Sequence, residues 1–540
     1  MGQQQILTNL IACVLAIGLV STASADVTVP TLFSDHAVLQ RDMPVPVWGT
    51  ASPGESVSVE FNGQSKTTIT DGSGNWMVLL DQMDASSDPG DMVITGNNVI
   101  TRTGMQVGEV WIGSGQSNMQ RALSDDCDED AAEAIANAAD QNMRFFNVTA
   151  NGGNVSSTVW QISNGTSAPA MSAVHFYFGR HLAENMPDVP IGLITSAVSA
   201  TAIERWAMCA GSGALYTGQI VPLQPYAIKG ATWYQGEWDA RGAQDASKYY
   251  WQLPCLIDEW RTDWGQGIFP FYVVQMPKMG INSIHIVRDA ELQTMLNDPK
   301  VEMIVTIDQP GNDVHPPCKA PFGVRLAMLA RKFEYGQDLF ARSPVYNASS
   351  SYVDHEKIRV VFDNVADGLC SSVADGLCSS SDPLAEWEIA DASGSYVPAN
   401  AVIVGTDTVE VSNPFSVPEP VSARYAFSTN PAANNLFNSA GLPASPIREV
   451  APGAVVPVCG DSNCDPGENE CSCPGDCGTP QATESICDDG VNEDCDGGTD
   501  CADPTGECDF DPVCACLAKH DSCSADSECC SNKCRGGKCR

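Results

Sequence analysis

Hydrophobic and polar residues alternate strictly in the first part of the chain. Residues 56–61 alternate a polar side chain with valine or phenylalanine, and a period of two is typical of a half-buried β-strand. Turn-forming pairs such as Asn62-Gly63 separate these runs. The pattern therefore predicts an all-β domain over residues 26–105.

The pattern changes over residues 106–336, where apolar runs alternate with helix-like stretches. The apolar runs lie at 191–194, 271–274 and 303–307, and the helix-like stretches at 130–139 and 323–335. This alternation is typical of βαβ units built around a parallel sheet. Strand patterns such as 357–362 return over residues 337–450. We therefore expect an α/β domain flanked by two β-domains.

The first 25 residues have the form of a secretory signal peptide. An apolar stretch over residues 6–20 precedes the tripeptide Ala-Ser-Ala at 23–25, which has the small residues of a cleavage site. A membrane anchor is the alternative, but polar Thr8 and Asn9 interrupt a run that is already short for a span. No later apolar stretch reaches about 18 residues. We expect a secreted or extracellular protein, with the periplasm and the cell surface as alternatives.

The length of the chain indicates several domains, and its charge argues against some classes of partner. A chain of 540 residues is too long for one compact core, so several domains are expected. It carries 67 acidic against 28 basic residues, a formal net charge of -39. Such a surface repels the phosphates of nucleic acids and of anionic membranes. This argues against both as partners.

The cysteines are concentrated near the C-terminal end. Of 23 cysteines, sixteen lie between Cys459 and Cys539, a density typical of a disulfide framework in an oxidising compartment. Four others are spread through the middle of the chain, where buried thiols and disulfides are both open: Cys127, Cys209, Cys255 and Cys318.

One octapeptide, VADGLCSS, occurs twice in tandem, at 365–372 and at 373–380. A single repeat of eight residues is not a solenoid, which needs several stacked units. We interpret it as a local duplication in a surface loop that adds the pair Cys370 and Cys378.

A candidate nucleophile follows one of the apolar runs. In GEVWIGSGQSNMQR, residues 108–121, the run ends at Ile112 and a glycine-rich turn carries Ser117. A serine displayed after a buried strand suits nucleophilic catalysis. The alternative is an ordinary strand-to-helix turn in which Ser117 caps the helix.

A serine nucleophile needs a general base, usually histidine, and the chain has seven histidines. His315 differs from the rest because it follows the run 303–307 in a proline-rich loop that also carries Asp313. Such loops are where α/β enzymes display catalytic groups, although an Asp-x-His pair alone is more often a surface turn. The others lie in β regions, in the tail or in a helix-like stretch, or lack a nearby acidic partner: His36, His175, His181, His285, His355 and His520.

Three blocks of this sequence resemble the signature blocks of the sialate O-acetylesterase family, which consists of SGNH-type serine esterases. They are GSGQSNM at 113–119, TWYQGEWDA at 232–240 and DVHPPCKAPFGVRLA at 313–327. The resemblance runs in order over residues 30–448. It implies an SGNH-type three-layer α/β/α catalytic domain flanked by β-sandwich-like domains. It also implies an enzyme that removes O-acetyl groups from carbohydrates and needs no cofactor for catalysis.

The resemblance also implies roles for individual residues. Ser117 would be the nucleophile and His315 the general base, oriented by Asp313; the wider SGNH group has its acid three residues before the histidine, which falls here on Asn312. The oxyanion hole would use the backbone N–H of Ser117, the side chain of Gln235 and a backbone donor at Ser199 or Ala200. The substrate-binding residues would be Gln116, Asn118, Glu237 and Trp238.

Two segments depart from the family pattern. Relatives have Trp-Gly-Gly-Thr where this chain has Val-Ser-Ala-Thr at 198–201, and the loss of two glycines restricts positive φ angles in that turn. The familiar Glu-Ser-Asn is replaced by Glu-Trp-Asp at 237–239. The added Trp238 would be either a sugar-stacking platform or a packed aromatic residue.

The family signature leaves the sugar open. Acetylated sialic acid or a similar acetylated sugar is the first candidate substrate, and acetylated xylan or another polysaccharide is the alternative. A different class of function, a catalytically silent glycan-binding surface protein, is suggested by the altered turn at 198–200 and by the tail.

A linker at 451–458 leads into the cysteine-rich tail at 459–540, which lies outside the resemblance. Between two small cysteine modules, oxygen-bearing side chains fall at positions 1, 3, 5, 9 and 12 of a loop with glycine at position 6, which is close to the calcium loop of an EF-hand. These residues are Asn492, Asp494, Asp496, Asp500 and Asp503. The alternative is a solvated acidic loop held by disulfides. We expect a Ca²⁺ site, and attachment to a surface or polysaccharide as the role of the tail.

Overall fold

The computed structural model describes residues 26–149, 152–309, 313–354, 357–374 and 377–451. The predicted signal peptide and the cysteine-rich tail lie outside these ranges. Among the described residues, no helix is both long and apolar enough to cross a membrane.

The N-terminal part consists of seven strands, and the predicted strand at 56–61 is β3. The strands are β1 (Val38–Gln40), β2 (Val45–Thr50), β3 (Ser56–Phe61), β4 (Gln64–Ile69), β5 (Asn75–Leu80), β6 (Ser86–Thr95) and β7 (Val99–Gly115). β3, β4 and β6 form an antiparallel group that joins β7, and β1 pairs with β7 in parallel. β7 then continues across residue 105 into the centre of the molecule, so the antiparallel strands and the parallel sheet share it.

The middle part contains the parallel strands and all the described α-helices. Its strands are β8 (Asp140–Asn147), β9 (Gln161–Ser163), β10 (Ile191–Ala197), β11 (Gly230–Tyr234), β12 (Phe271–Val274) and β13 (Val301–Ile304). Its helices are α1 (Ser117–Gln120), α2 (Asp128–Ala136), α3 (Ala173–Asn185), α4 (Ala243–Trp264), α5 (Ile284–Asn297) and α6 (Ala320–Phe333). The predicted helix-like stretches correspond to α2 and α6.

The C-terminal part consists of strands, as its sequence pattern predicts, and their pairings are antiparallel. Its strands are β14 (Val345–Asp354), β15 (Lys357–Asp363), β16 (Leu369–Cys370), β17 (Ser372–Ala374), β18 (Leu377–Ser379), β19 (Trp387–Ala390), β20 (Val397–Pro398), β21 (Asn400–Val404), β22 (Thr408–Ser412), β23 (Ser422–Tyr425), β24 (Phe437–Asn438) and β25 (Ile447–Val450). Two four-stranded sheets, β14-β15-β22-β21 and β20-β19-β23-β25, are in contact with each other. The described residues of the second copy of the octapeptide include the end of β17 and all of β18, and these two strands pair antiparallel.

The central sheet has the order β13-β12-β11-β7-β10-β8-β9, and all its neighbours are parallel except β9. β10, β11, β12 and β13 consist entirely of buried residues, which is typical of parallel strands covered on both faces. α3 packs against α6 and α4 packs against α5. The molecule is thus a mixed α/β fold with a central mixed sheet and additional antiparallel sheets.

Three disulfides lie in the described residues. Cys127–Cys318 and Cys209–Cys255 join the four cysteines of the middle part, and Cys370–Cys378 links the two copies of the octapeptide. The two copies differ in environment, because Leu369 is 3% exposed whereas its counterpart Leu377 is 75% exposed. Several disulfides in one chain are consistent with an extracellular location.

Candidate active site

Ser117 lies on the turn that follows β7. The last residue of β7, Gly115, has φ +137°, and a Cβ atom at that position would lie 2.1 Å from the carbonyl oxygen of Tyr234. Only glycine tolerates both the angle and the close approach. Gln116 is the N-cap of α1, and the hydroxyl of Ser117 makes no hydrogen bond to any described residue. The structure therefore does not use Ser117 as a helix cap.

Three segments of the candidate site follow β7, β10 and β11, and these strands end at the same edge of the sheet. Gly115 is in register with Ala197 of β10 and with Tyr234 of β11. Because the three strands are parallel, their carboxyl ends place the Ser117 turn beside the segments 198–201 and 235–239. Ligands of open α/β sheets bind at this edge. The sequence-predicted residues are thus brought together around β7.

The side chain of Asn118 connects the Ser117 turn to its neighbours. Its Nδ2 donates to the carbonyl oxygen of Val314 over 2.8 Å and to the Glu237 carboxylate, and its Oδ1 accepts from Lys319 Nζ over 2.5 Å. Asn118 is completely buried. It therefore holds the loop of His315 against the turn of Ser117.

Asp313 does not orient the imidazole of His315 in this structure. Its Oδ1 accepts from the backbone N–H of His315 over 3.0 Å, and Asp313 itself is exposed. Within the described residues the ring of His315 makes no hydrogen bond, either to Asp313 or to Ser117. The alternative orienting residue, Asn312, lies outside the described residues.

The surroundings of His315 favour its neutral form. Partial burial lowers its pKa, and the positive charges of Lys319 and Arg121 lower it further, while Asp313 opposes them. A neutral imidazole is what a general base requires.

Gln235 is fully buried and occupies a supporting position. Its Nε2 donates to Asp239 Oδ2 over 2.6 Å, to the Thr201 carbonyl over 2.9 Å and to Gln116 Oε1 over 3.1 Å. A side-chain amide has only two N–H groups, and these acceptors occupy both. In this arrangement Gln235 has no free N–H for an oxyanion, so its predicted role in the oxyanion hole is not supported by the structure.

The turn at 198–201 offers one backbone donor of the two predicted. The N–H and the hydroxyl of Ser199 both donate to Gln120 Oε1, over 2.7 and 2.6 Å. Ala200 has φ +56°, a left-handed conformation that costs a non-glycine residue about 1–2 kcal/mol. Its N–H makes no hydrogen bond to another described residue, and neither does that of Ser117. Both N–H groups are therefore unpaired among the described residues.

Three of the four side chains predicted to bind substrate are buried. Gln116, Asn118 and Glu237 are 3%, 0% and 2% exposed, so they form the floor of the site and cannot touch a sugar as placed. Trp238 is 38% exposed. The guanidinium of Arg241 lies over its ring, 3.9 Å from the centroid, so one face of this platform is covered by a cation.

Several buried groups beneath the site were not predicted from the sequence. Burial raises the pKa of Glu237 to about 7 and that of Asp239 to about 6, and burial lowers the pKa of Lys319 to about 7. Asp239 holds Gln235 and Lys319 holds Asn118. The available signal was that Lys319 follows His315 by four residues, directly before an apolar helix pattern.

No metal site is present in the described part of the chain, where no group of three or more His, Cys, Asp or Glu residues could hold an ion. The predicted calcium loop, with its ligands at 492–503, lies outside the described residues. It stays a prediction, as does catalysis without a cofactor.

Comparison with known proteins agrees with this arrangement. The sequence profile of a family described as "Carbohydrate esterase, sialic acid-specific acetylesterase" matches residues 107–332, a range that includes every site residue from Gln116 to Lys319. The human sialate O-acetylesterase is 28% identical over 361 residues, covering 54% of this chain and 68% of its own. The mouse sialate O-acetylesterase is 25% identical over 513 residues, covering 76% of this chain and 92% of its own.

A solved structure extends the likeness to the fold. A carbohydrate acetylesterase from Xanthomonas citri is 31% identical and superposes with a TM-score of 0.71, covering 78% of this chain and 99% of its own. The sequence match therefore spans the site, and the structural match spans the parallel sheet and the antiparallel parts beside it. The chain belongs to the sialic acid-specific acetylesterase family of carbohydrate esterases and is a carboxylic ester hydrolase.

Proposed function

We propose that this enzyme removes O-acetyl groups from sialic acid or a similar acidic acetylated sugar, with Ser117 as the nucleophile and His315 as the general base. The observation that supports it is the Ser117 turn: an unpaired hydroxyl and an unpaired N–H at the carboxyl end of β7, to which Asn118 ties the loop of His315. The catalytic part is then an SGNH-type three-layer domain between β-sandwich-like parts, and the protein is secreted.

The first half of the reaction forms an acetyl-enzyme. His315 accepts the proton of Ser117 as the serine oxygen attacks the acetyl carbonyl carbon. The negative charge that develops on the carbonyl oxygen is stabilised by the N–H groups of Ser117 and Ala200. The tetrahedral intermediate collapses, the bond to the sugar oxygen breaks, and His315 returns its proton to that oxygen.

The second half regenerates the enzyme. His315 removes a proton from a water molecule, which attacks the acetyl group on Ser117 through the same oxyanion contacts. The ester bond to Ser117 breaks, the proton passes from His315 to the serine oxygen, and acetate leaves.

Arg241 supports an acidic sugar over a neutral one. Its guanidinium is exposed, lies over Trp238 and makes no ion pair with any described carboxylate. Trp238 in turn donates its backbone N–H to Gln116, the neighbour of Ser117, over 3.2 Å. Guanidinium groups bind carboxylates in bidentate geometry, and sialic acids carry a carboxylate whereas xylan does not.

Trp238 also lines a cavity that offers hydrogen-bond acceptors. A cavity of about 180 Å³ is lined by Trp238, Asp239, Glu204 and Asp245, among others. Carboxylates accept hydrogen bonds from sugar hydroxyls. Trp238 thus contacts a cation and also lines a cavity with hydrogen-bond acceptors, and both features suit a polyhydroxylated sugar acid.

The test is acetate release from three substrates: O-acetylated sialic acid, acetylated xylan and a neutral aryl acetate. Wild type is expected to show the highest kcat/KM on the sialic acid. Ser117→Ala is expected to lose activity on all three, because it lacks the nucleophile. Arg241→Met is expected to lose kcat/KM on the sialic acid only, by the equivalent of about 1.5–3 kcal/mol for a hydrogen bond to a charged group.

Wild type and the two variants separate the parts of the proposal. Substantial turnover by Ser117→Ala would show that another residue is the nucleophile. A wild-type preference for acetylated xylan, or an equal loss on all substrates in Arg241→Met, would refute the acidic sugar and favour the polysaccharide alternative.

A further inference from the structure

We propose that Lys319 is a positioning residue for catalysis, which acts through Asn118 to hold His315 in place beside Ser117. The proposal rests on the roles of Ser117 and His315 proposed above. It is carried by one chain of hydrogen bonds, from Lys319 Nζ to Asn118 Oδ1 over 2.5 Å and from Asn118 Nδ2 to the Val314 carbonyl over 2.8 Å.

Lys319 decides which way the Asn118 amide points. A lysine ammonium only donates hydrogen bonds, and a backbone carbonyl only accepts them. The oxygen of Asn118 must therefore face Lys319, and its NH₂ must face Val314 and Glu237. Without Lys319 the amide oxygen would be buried with no partner, and rotation of the amide would break the contact to the residue before His315.

The position of Lys319 is unfavourable unless it has such a role. Its side chain is fully buried, over the rings of Tyr234 and Phe322. It is also the N-cap of α6, where the helix dipole disfavours a positive charge. A buried ammonium is costly unless it is paired. The described groups that offset this cost are Asn118 Oδ1, the nearby Glu237 and Asp126, and the two aromatic rings through cation–π attraction.

The backbone of Lys319 is fixed as firmly as its side chain. Its N–H donates to Asp126 Oδ1 over 2.8 Å, and the adjacent Cys318 is bonded to Cys127. The segment after Ser117 thus supplies three contacts, from Asn118, Asp126 and Cys127, to the end of the His315 loop. These contacts fix the backbone from which the ammonium extends.

Lys319 also affects His315 electrostatically. Three charged groups act on the imidazole among the described residues: Lys319 and Arg121 lower its pKa and Asp313 raises it, in addition to the lowering by burial. Burial lowers the pKa of Lys319 itself to about 7, so the ammonium is charged at the acid pH where His315 titrates. Removal of this charge leaves Arg121 and Asp313 in place and raises the pKa of His315.

The experiment compares Lys319→Met with wild type on a neutral aryl acetate, which makes the result independent of the sugar. We expect kcat to fall by about 10- to 100-fold, the scale of a small misplacement of a catalytic group, with KM changed by less than about twofold. We also expect the acid limb of kcat/KM against pH to move to higher pH. The fall in kcat on the plateau above that limb, where His315 is neutral in both enzymes, reports the loss of positioning separately from the loss of the charge.

Two further variants serve as comparisons. Lys66→Met makes the same chemical change at an exposed lysine paired with Asp81 in the N-terminal strands, and should match wild type. Asn118→Ala breaks the hydrogen-bond chain but keeps the ammonium, so kcat should fall while the acid limb stays in place.

An unchanged kcat in folded Lys319→Met, or an unmoved acid limb, would overturn the proposal. If Lys319→Met does not fold, Lys319→Gln is measured instead, because it keeps an amide donor but not the charge. An acid limb of Lys319→Gln at the wild-type position would then overturn the proposal. Failure of the underlying function is distinguishable, because it would appear as activity in Ser117→Ala.

Discussion

Gly115→Ala should destabilise the protein and impair catalysis together, because this glycine sets the geometry of the Ser117 turn. The new methyl carbon would lie 2.1 Å from the carbonyl oxygen of Tyr234 and 2.7 Å from its carbonyl carbon. Both atoms belong to the backbone of β11, which is paired with β7. Neither can move aside as a flexible side chain would.

Two effects contribute to the magnitude. A non-glycine residue held at φ +137° costs about 1–3 kcal/mol, and overpacking at a tight backbone contact costs about 1–3 kcal/mol more. The sum of about 2–6 kcal/mol is a large fraction of the roughly 5–15 kcal/mol that stabilises an ordinary domain. Any relaxation that relieves the clash must separate β7 from β11 and shift Ser117, so kcat should fall by about 10²-fold for a displacement near 1 Å.

Urea unfolding followed by tryptophan fluorescence measures the first effect, because Trp111 on β7 and Trp233 on β11 are fully buried in the affected sheet. Gly280→Ala is the matched control, since its Cβ would meet no atom within 4 Å and its φ is not positive. The control should change the free energy of unfolding by no more than about 1 kcal/mol. If Gly115→Ala unfolds and turns over like Gly280→Ala, the argument from the glycine is wrong.

Further predictions concern the histidine loop and its disulfide. His315→Ala should lose several orders of magnitude in kcat. The acid limb of wild-type kcat/KM should lie below pH 6.5, because burial and Lys319 lower the pKa of His315. Asp313→Asn should lower kcat by less than about tenfold and move that limb to lower pH, whereas a loss near 10⁴-fold would show that Asp313 orients the ring. Replacing Cys127 and Cys318 by serine should reduce the free energy of unfolding by about 2–5 kcal/mol and also lower kcat. The same change at Cys209 and Cys255 should affect stability alone. Equal kcat values for the two double variants, measured below their unfolding temperatures, would show that the Cys127–Cys318 disulfide does not hold the His315 loop.

The sequence pattern was sufficient to find several of the strands but not their arrangement. The apolar run at 271–274 is β12 with the same bounds, because a strand covered on both faces has a continuous apolar signature. The run at 303–307 is displaced, since β13 ends at Ile304 and the next apolar residues already belong to the loop. The order of the strands depends on pairings between distant segments, and periodicity carries no information about these.

Local sequence patterns also do not reveal which residues contact each other within the site. A two-residue spacing between Asp313 and His315 fits a triad acid, but it is also the spacing at which an aspartate binds the backbone N–H two residues on, and the structure shows the second arrangement. The sequence does not show that Asp239 contacts Gln235, and this contact takes up an N–H that the predicted role of Gln235 requires. The contact between Lys319 and Asn118 joins residues 201 positions apart, which no local pattern could reveal.

The site contains buried residues that hold one another and exposed residues that do not, and this difference limits where the substrate specificity of the enzyme can change. Gln116, Asn118, Gln235 and Glu237 are buried and bonded to one another or to their neighbours, so each is held by the others, and a substitution at any of them leaves a buried polar partner unsatisfied. In the proposed mechanism, the residues left to meet the substrate are Ser117, His315, the turn at Ala200, and the pair Trp238 and Arg241. Of these, only Trp238 and Arg241 have no part in the chemistry. It follows that the choice of sugar can be altered at this pair without disturbing the nucleophile turn.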